Sequence, residues 1–363
     1  LVGSSTSDHI GQRNVSTSFG DRSAAINGII VLPNGNYLIE SESWNAARGA
    51  ITWGSGTAGV AGAVSAANSL VGSTAQDRIG RVIDPVANFV RSGLIQVPNS
   101  SDVFILSSLW DNAATGATNA GAITFINGTN GQLVGGAVGG AVSAANSLVG
   151  TRSNDLVGLG GTLNITGGVT SHVFLDNGRV AFINSNWAAS AAATKAGAVT
   201  VMSPSAPVVG PITAANSIIG SQINDLVGSG GIDARVGGGF YVVLSPNWAN
   251  GAATRAGAMT IFHDDSPPVG PVSSANSIVG SHVDDFVGSP TVNLNPILRL
   301  NRYQPAPNDF LLDPDFHNFV INSDRWNGNR GAVTPILING TTWTTVDGTN
   351  VVGPTNSLVG STA

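Results

Sequence analysis

Five aspartates occupy one position in a recurring phrase, and a ring of carboxylates is the first chemistry the sequence offers. Asp8, Asp77, Asp155, Asp225 and Asp285 each precede a variable residue, then Ile or Val, then Gly. Five carboxylates facing one channel would hold a cation. Taken singly, each would accept backbone N–H groups in a turn before a strand. The turn reading is preferred, because an identical residue in every repeat usually solves an identical folding problem.

Five tryptophans offer the second chemistry. Trp44, Trp110, Trp187, Trp248 and Trp326 each close an apolar run, and a basic residue follows four of them: Arg48, Lys195, Arg255 and Arg330. An indole face beside a cation suits a pyranose ring, so these nine residues are the candidate ligand-binding set, one site per repeat. The bland reading is packing between repeats, where burying an indole removes about 150–250 Å² from water. Packing is preferred here too. A Trp–Arg pair could equally be a cation–π contact inside one repeat.

Catalysis finds little support. The histidines His9, His172, His263, His282 and His317 lie at unmatched repeat positions, and there is no HExxH motif, no P-loop and no cysteine. His263-Asp264-Asp265 and Asp313-Pro314-Asp315-Phe316-His317 are dense enough for a metal, although ordinary polar turns have the same composition. A glycosidase with two carboxylates meeting in space would show unique, clustered acids in one repeat. The shared motifs here are independent of the repeat, so no enzyme, no cofactor and no firm metal site are expected.

The elements that position these residues are themselves repeated. The phrase Leu-Val-Gly-Ser or a close variant starts at Leu1, Leu70, Leu148, Ile218, Ile278 and Leu358, at intervals of 60 to 80 residues. The expected units are 1–69, 70–147, 148–217, 218–277 and 278–357, with a partial sixth copy at 358–363. Each unit carries the Asp phrase, a strand ending in Trp, and Gly-Ala-[Ile/Val/Met]-Thr at 49–52, 121–124, 197–200, 257–260 and 331–334. Asn68, Asn146, Asn216, Asn276 and Asn356 stand two residues before the phrase, where an amide can bridge neighbouring backbones. Asn34-Gly35 and Asn177-Gly178 mark two-residue hairpin turns.

About four short antiparallel strands per unit predict an all-β fold, a single five-bladed β-propeller over 1–363. A parallel β-helix is the rival, and the hairpin turns argue against it. The long units carry insertions, including a Pro-rich one near 289–312.

Composition narrows the partners. Charged residues are only 10% of 363, and the net charge is −6. Nucleic acid is excluded as an expectation, because phosphate neutralisation needs clustered Lys and Arg. No apolar run approaches the roughly 20 residues that span a bilayer, so no membrane insertion is expected. The absence of cysteine, with one lysine and abundant Gly, Ser, Thr and Asn, suits an exported protein better than a cytosolic one.

Two resemblances follow from these motifs. The stretch SPNWANGAATRAGAMTIF at 245–262 resembles the FG-GAP repeats of integrin-type propellers. NSIVGSHVDDFVGS and SPNWANGAATRAGA are more similar to repeats of large secreted bacterial exoproteins of the filamentous-haemagglutinin-like kind. The resemblance implies a secreted or cell-surface adhesive or structural module. The D-x-[D/N]-x-D-G loop of FG-GAP repeats is absent, so a Ca²⁺ site is not carried over.

The two ends pose a problem. Five units have five places for the phrase, and the chain supplies six copies. Leu1, Val2, Gly3, Leu358, Val359 and Gly360 are therefore the candidate assembly residues. A surplus copy can add a strand to the edge of a neighbouring molecule and build a filament. Expected partners are further copies or neighbouring repeats of the same polypeptide, with surface glycans as the alternative under a lectin reading.

Overall fold

A computed structural model describes residues 1–12, 28–84, 89–161, 171–237, 239–289, 297–299 and 319–361. Pro290, Pro296, Pro305 and Pro307 of the Pro-rich insertion lie outside these, as does the Asp313–His317 cluster. Strand accounts for 38% of the described residues and helix for 3%, so the fold is all-β. The four-residue segments Trp44–Ala47 and Trp326–Asn329 only resemble helices. Asn45 and Ala46, like Asn327 and Gly328, have φ between 48° and 70°, so both segments are left-handed turns. No helix among the described residues is long and apolar enough to cross a membrane.

The chain divides into two compact units, 1–160 with 202–212 and 161–201 with 213–363. In the first, one sheet runs in the order Ile29–Val31, Tyr37–Ser41, Ala50–Gly54, Leu70–Val71, Gly140–Ala141. Its companion runs Leu94–Gln96, Val103–Ser107, Ala122–Ile126, Ser147–Val149, Gly210–Pro211. A short hairpin, Arg81–Asp84 with Phe89–Ser92, stands beside them.

Three more sheets belong to the second unit. They are built on Val180–Asn184 with Ala198–Met202, on Phe240–Ser245 with Ala258–His263, and on Phe319–Ser323 with Ala332–Asn339. The central strands are buried along nearly their whole length, as in Val103–Ser107 and Ala122–Ile126. Two-sided burial explains why they read as continuous apolar runs without alternation.

The pairing changes the phase of the repeat. Leu70–Val71 pairs antiparallel with Ala50–Gly54, the strand that precedes it. Ser147–Val149 pairs in the same way with Ala122–Ile126, and Ile278–Val279 with Ala258–His263. The Leu-Val-Gly phrase therefore closes a sheet rather than opening one. Counted by sheets, the copy at Leu1–Gly3 is the surplus one, and Leu358–Val359 closes the fifth sheet against Ala332–Asn339.

A fifth strand then arrives from the following repeat, and it is parallel. Gly140 sits opposite Leu70, Gly210 opposite Leu148, and Gly270 opposite Ile218. Val351 forms the corresponding parallel bridge to Val279, and Ala63 forms it to Val2. The strands at Leu70, Leu148, Ile218 and Ile278 thus each lie between their own repeat and the next.

Candidate functional site

The joint between repeats is where the singled-out residues converge. The Asn turn folds the incoming strand back on the phrase. Asn276 Oδ1 accepts from the Ser273 N–H (2.9 Å) and the Ser277 hydroxyl (3.0 Å), while Nδ2 donates to the Pro271 carbonyl (2.9 Å). Asn68 and Asn146 repeat this with Ala63 and Ala141 as carbonyl acceptors, both at 3.0 Å. A side chain that satisfies three backbone or hydroxyl groups fixes the turn without charge.

A hydroxyl pair, buried in the first four repeats and half-buried in the fifth, ties the phrase to its own sheet. Thr52 meets Ser69 at 2.6 Å, and Thr124–Ser147, Thr200–Ser217, Thr260–Ser277 and Thr334–Ser357 each meet at 2.7 Å. The Ser277 hydrogen is already given to Asn276, so Thr260 must donate to Ser277. The chain Thr to Ser to Asn therefore has one direction.

Each of the five aspartates lies beneath this strand and is 0–2% exposed. Asp225 Oδ2 accepts from the Ser221 and Gln222 N–H groups at 2.9 and 2.8 Å, and Oδ1 accepts from the Ala249 N–H at 3.0 Å. Asp77 does the same with Ser73, Thr74 and Asp111, and Asp285 with Ser281, His282 and Asn327. Asp8 accepts from Ser4, Ser5 and Asn45. In these four the carboxylate spans two repeats, holding the turn of one and the post-Trp backbone of the next. Their oxygens face N–H donors, which is the wrong environment for a cation.

Flanking residues adopt left-handed backbone to make these donors converge. The residues on either side of four of the aspartates have positive φ: Gln76 and Arg78, Asn154 and Leu156, Asn224 and Leu226, Asp284 and Phe286, at 47–71°. Bulky side chains rarely adopt that region.

Electrostatics differ between copies. Burial pushes the Asp77 carboxyl up to about 6, only partly offset by the N–H groups of Thr74, Asp111 and Ser73, with the Asp111 charge adding to the rise. Burial likewise raises Asp225. Burial also opposes the Asp8 charge, but hydrogen bonds from the Ser5 hydroxyl and from the Asn45, Ser5 and Ser4 N–H groups outweigh it. That carboxyl lies well below the usual range.

The tryptophans pack under the joint. Trp44, Trp110, Trp187, Trp248 and Trp326 are 3–7% exposed, which leaves no indole face for a sugar to stack on. Trp44 packs with Ala50, Val64 and Val71, and Leu1 and Ile10 lie against that cluster. Trp326 Nε1 donates to the Val352 carbonyl at 3.1 Å, whereas the other four indole N–H groups are buried with no acceptor among the described residues. Beside Trp110 lies a cleft of about 370 Å³ lined by Asn112, Val142, Val149 and Pro211.

The basic residues do not form one set. Arg48 and Arg330 stand one residue before the Gly of Gly-Ala-x-Thr, and Lys195 and Arg255 stand two before it. Arg255 pairs with Asp284 at 2.6 Å and lies over the Phe286 ring at 5.3 Å rather than over an indole. Unequal loop lengths after Trp hide this shift in the sequence.

Two further groups complete the inventory. His263, Asp264 and Asp265 place ligand atoms within 4.8 Å of one another at the end of Ala258–His263. A buried ionic cluster escaped the sequence reading. Arg81 Nε stands 3.4 Å from Glu42, and Arg78 pairs with Glu42 at 2.9 Å. Glu40 is 0% and Glu42 1% exposed, so these carboxylates are closed to a substrate. The signal was there: Glu40 occupies the strand position held by Leu106, Ile183 and Leu244 in other repeats.

Comparison with known proteins ties the repeats to neither the FG-GAP nor the filamentous-haemagglutinin-like families. No curated protein matches the chain. The family described as a repeat of unknown function (DUF5650) matches residues 31–81, 99–159, 174–229, 236–289 and 316–363, segments that follow the sheets, and the chain belongs to that family.

Proposed function

We propose that the chain is a non-enzymatic structural module of a secreted or cell-surface bacterial protein, and that it works by associating with further copies of its own repeat. Its five sheets would be arranged as the blades of a β-propeller. The observation that carries this reading is the joint. Four of the aspartates hold the turn of one repeat to the backbone of the next, and the Asn side chains fix the turn that follows the strand pairing with the preceding repeat. Sheets completed by a neighbour's strand are built for association, because an unpaired strand edge recruits another strand.

Sedimentation velocity and electron microscopy over a range of concentrations test the proposal. Concentration-dependent oligomers or filaments are expected without added ligand. A strictly monomeric chain at every concentration, with selective binding in a glycan screen, would replace this reading with the lectin. Solution scattering tests the blade arrangement: a compact disc is expected, and an elongated rod refutes it.

A further inference from the structure

Two tryptophans stand outside the repeated set, Trp53 and Trp343. Both are half-buried, whereas the five that close the strands are 3–7% exposed. Each is pinned at its polar edge by a backbone carbonyl: Trp53 Nε1 donates to Gly128 at 3.0 Å, and Trp343 Nε1 donates to Ile261 at 2.8 Å. The ring of Trp53 is covered, because Gly131 lies so close that a Cβ there would fall 2.8 Å from two of its carbons. Trp343 instead lines a cleft of about 310 Å³.

An added strand in the fifth repeat builds this cleft. Thr342–Thr345 lies between the Gly-Ala-x-Thr strand and the Asn turn, pairs with the end of Ala332–Asn339, and sets Trp343 opposite Ile338. The arm is tied to the fourth repeat twice, by the Trp343–Ile261 bond and by Asn350 Nδ2, which donates to the Ser274 carbonyl at 3.0 Å. The fourth repeat supplies His263, Pro267 and Pro268 to the lining, and Ser266, Thr341 and Thr342 add exposed hydroxyls. Among the described residues no Lys, Arg, Asp or Glu lines the cleft. Asp264 and Asp265 stand just behind it, with carboxylate oxygens 3.2 and 3.6 Å from His263 Nδ1.

We infer that this cleft is a carbohydrate site that takes one neutral pyranose ring, apart from the five repeat tryptophans. The indole supplies an apolar surface against which the C–H face of a pyranose packs. Its N–H is already held by Ile261, so the ring is ordered before the ligand arrives and binding loses little side-chain entropy. The hydroxyl and imidazole groups of the lining both donate and accept, as sugar hydroxyls do. A few such polar groups around an aromatic floor are what orients a small ligand. The volume lies near the lower end of the range for small-ligand clefts, room for one ring rather than a chain. Charge selects further. The lining has no cation to pair with an acidic sugar, and the two carboxylates behind His263 repel one. The site does not depend on self-association, since all its walls belong to one chain.

The seven indole N–H groups give a direct readout. The Trp343 signal in a proton–nitrogen correlation spectrum is assigned with Trp343→Phe, and that of Trp53 with Trp53→Phe. The chain is then titrated with the methyl glycosides of glucose, galactose, mannose and N-acetylglucosamine. The expected result is a saturable shift of the Trp343 signal with at least one of these sugars at millimolar concentration, while the Trp53 signal stays in place. Trp343→Ala should abolish saturation transfer to that sugar. Ala275→Phe fills the cleft from an exposed turn position, where the fifth repeat carries Thr355, and should weaken binding about tenfold with the fold unchanged. No shift with any of these sugars overturns the site. A shift that survives Ala275→Phe undiminished places the sugar elsewhere and overturns it too. Tighter binding of methyl glucuronide than of methyl glucoside overturns the neutral class.

Discussion

Replacing Gly257 and Gly331 by Ala, one at a time, compares a glycine with backbone packed against it and one without such a neighbour among the described residues. The two glycines share a φ of 78°, so the left-handed cost of an alanine, about 1 kcal/mol, is common to both and cancels in the comparison. The surroundings differ. A Cβ on Gly257 would stand 2.3 Å from both the nitrogen and the oxygen of Val287, whereas on Gly331 it meets nothing closer than 3.6 Å among the described residues. Val287 presents backbone, which cannot rotate away as a side-chain tip can. Either the sheet strains, at about 1–3 kcal/mol for overpacking, or the segment lifts off. Lifting off breaks the bonds from Asp284, Phe286 and Val287 to Thr254, Arg255 and Ala256, at 3.0–3.1 Å. At about 1 kcal/mol each, these set a similar ceiling. Gly257→Ala should therefore cost about 2–4 kcal/mol, and Gly331→Ala about 1. Urea unfolding followed by far-ultraviolet circular dichroism, on dilute monomer, measures both. Equal costs would refute the reading that the Val287 backbone closes on Gly257.

Other consequences can be measured on the same protein. Asp77 has its carboxyl raised to about 6 from an ordinary 3.8, so its charge is disfavoured in the fold. Its contribution favours the fold below pH 3.8 and is lost as pH rises through about 6; Asp77→Asn should remove up to about 3 kcal/mol of that pH dependence, seen as a flatter urea midpoint against pH. Asp8 has the opposite sign: its depressed carboxyl stabilises above its ordinary range and loses this as pH falls, so Asp8→Asn should erase an acid-side loss in the same titration. Arg81→Met removes the buried guanidinium beside Glu40 and Glu42 and should cost about 3–5 kcal/mol; a loss below 1 kcal/mol would show that the cluster is hydrated or protonated. In the Thr260–Ser277 pair, Ser277→Ala leaves the Thr260 hydroxyl buried without its acceptor, at about 1–3 kcal/mol, and adding Thr260→Val should recover part of it; strict additivity in the double-mutant cycle would deny the coupling.

Much of the framework was legible in the residues. The five Trp-ended runs and the Gly-Ala-x-Thr strands become adjacent central strands because apolar, β-branched runs bounded by Gly and Asn have few other uses. The aspartate turns are readable from Asn or Asp beside them, residues that tolerate left-handed backbone. Leu156, Leu226 and Phe286 in that same region are not readable, because tertiary contacts impose a conformation that their propensity opposes. The phase of the repeat was hidden for a related reason. Gly-Pro or Gly-Ala as a two-residue strand has no alternation to detect, and its partner lies some 50–70 residues upstream, as Gly140 does from Leu70 and Gly270 from Ile218. Trp burial and the mismatch of Arg48 with Arg255 depend on loop lengths that a motif comparison skips over.

The shared strand also governs how such a chain can change its length. Each copy of the phrase presents the same two faces, one to the strand behind it and one to the strand ahead. A recombination event that cuts inside one copy and rejoins inside another, for example after Leu148-Val149-Gly150 and into Ser221, removes a whole repeat and leaves the new junction with both partners it requires. Gain and loss of repeats is thus nearly free of new interface chemistry, and copy number can drift while every surviving boundary stays in register.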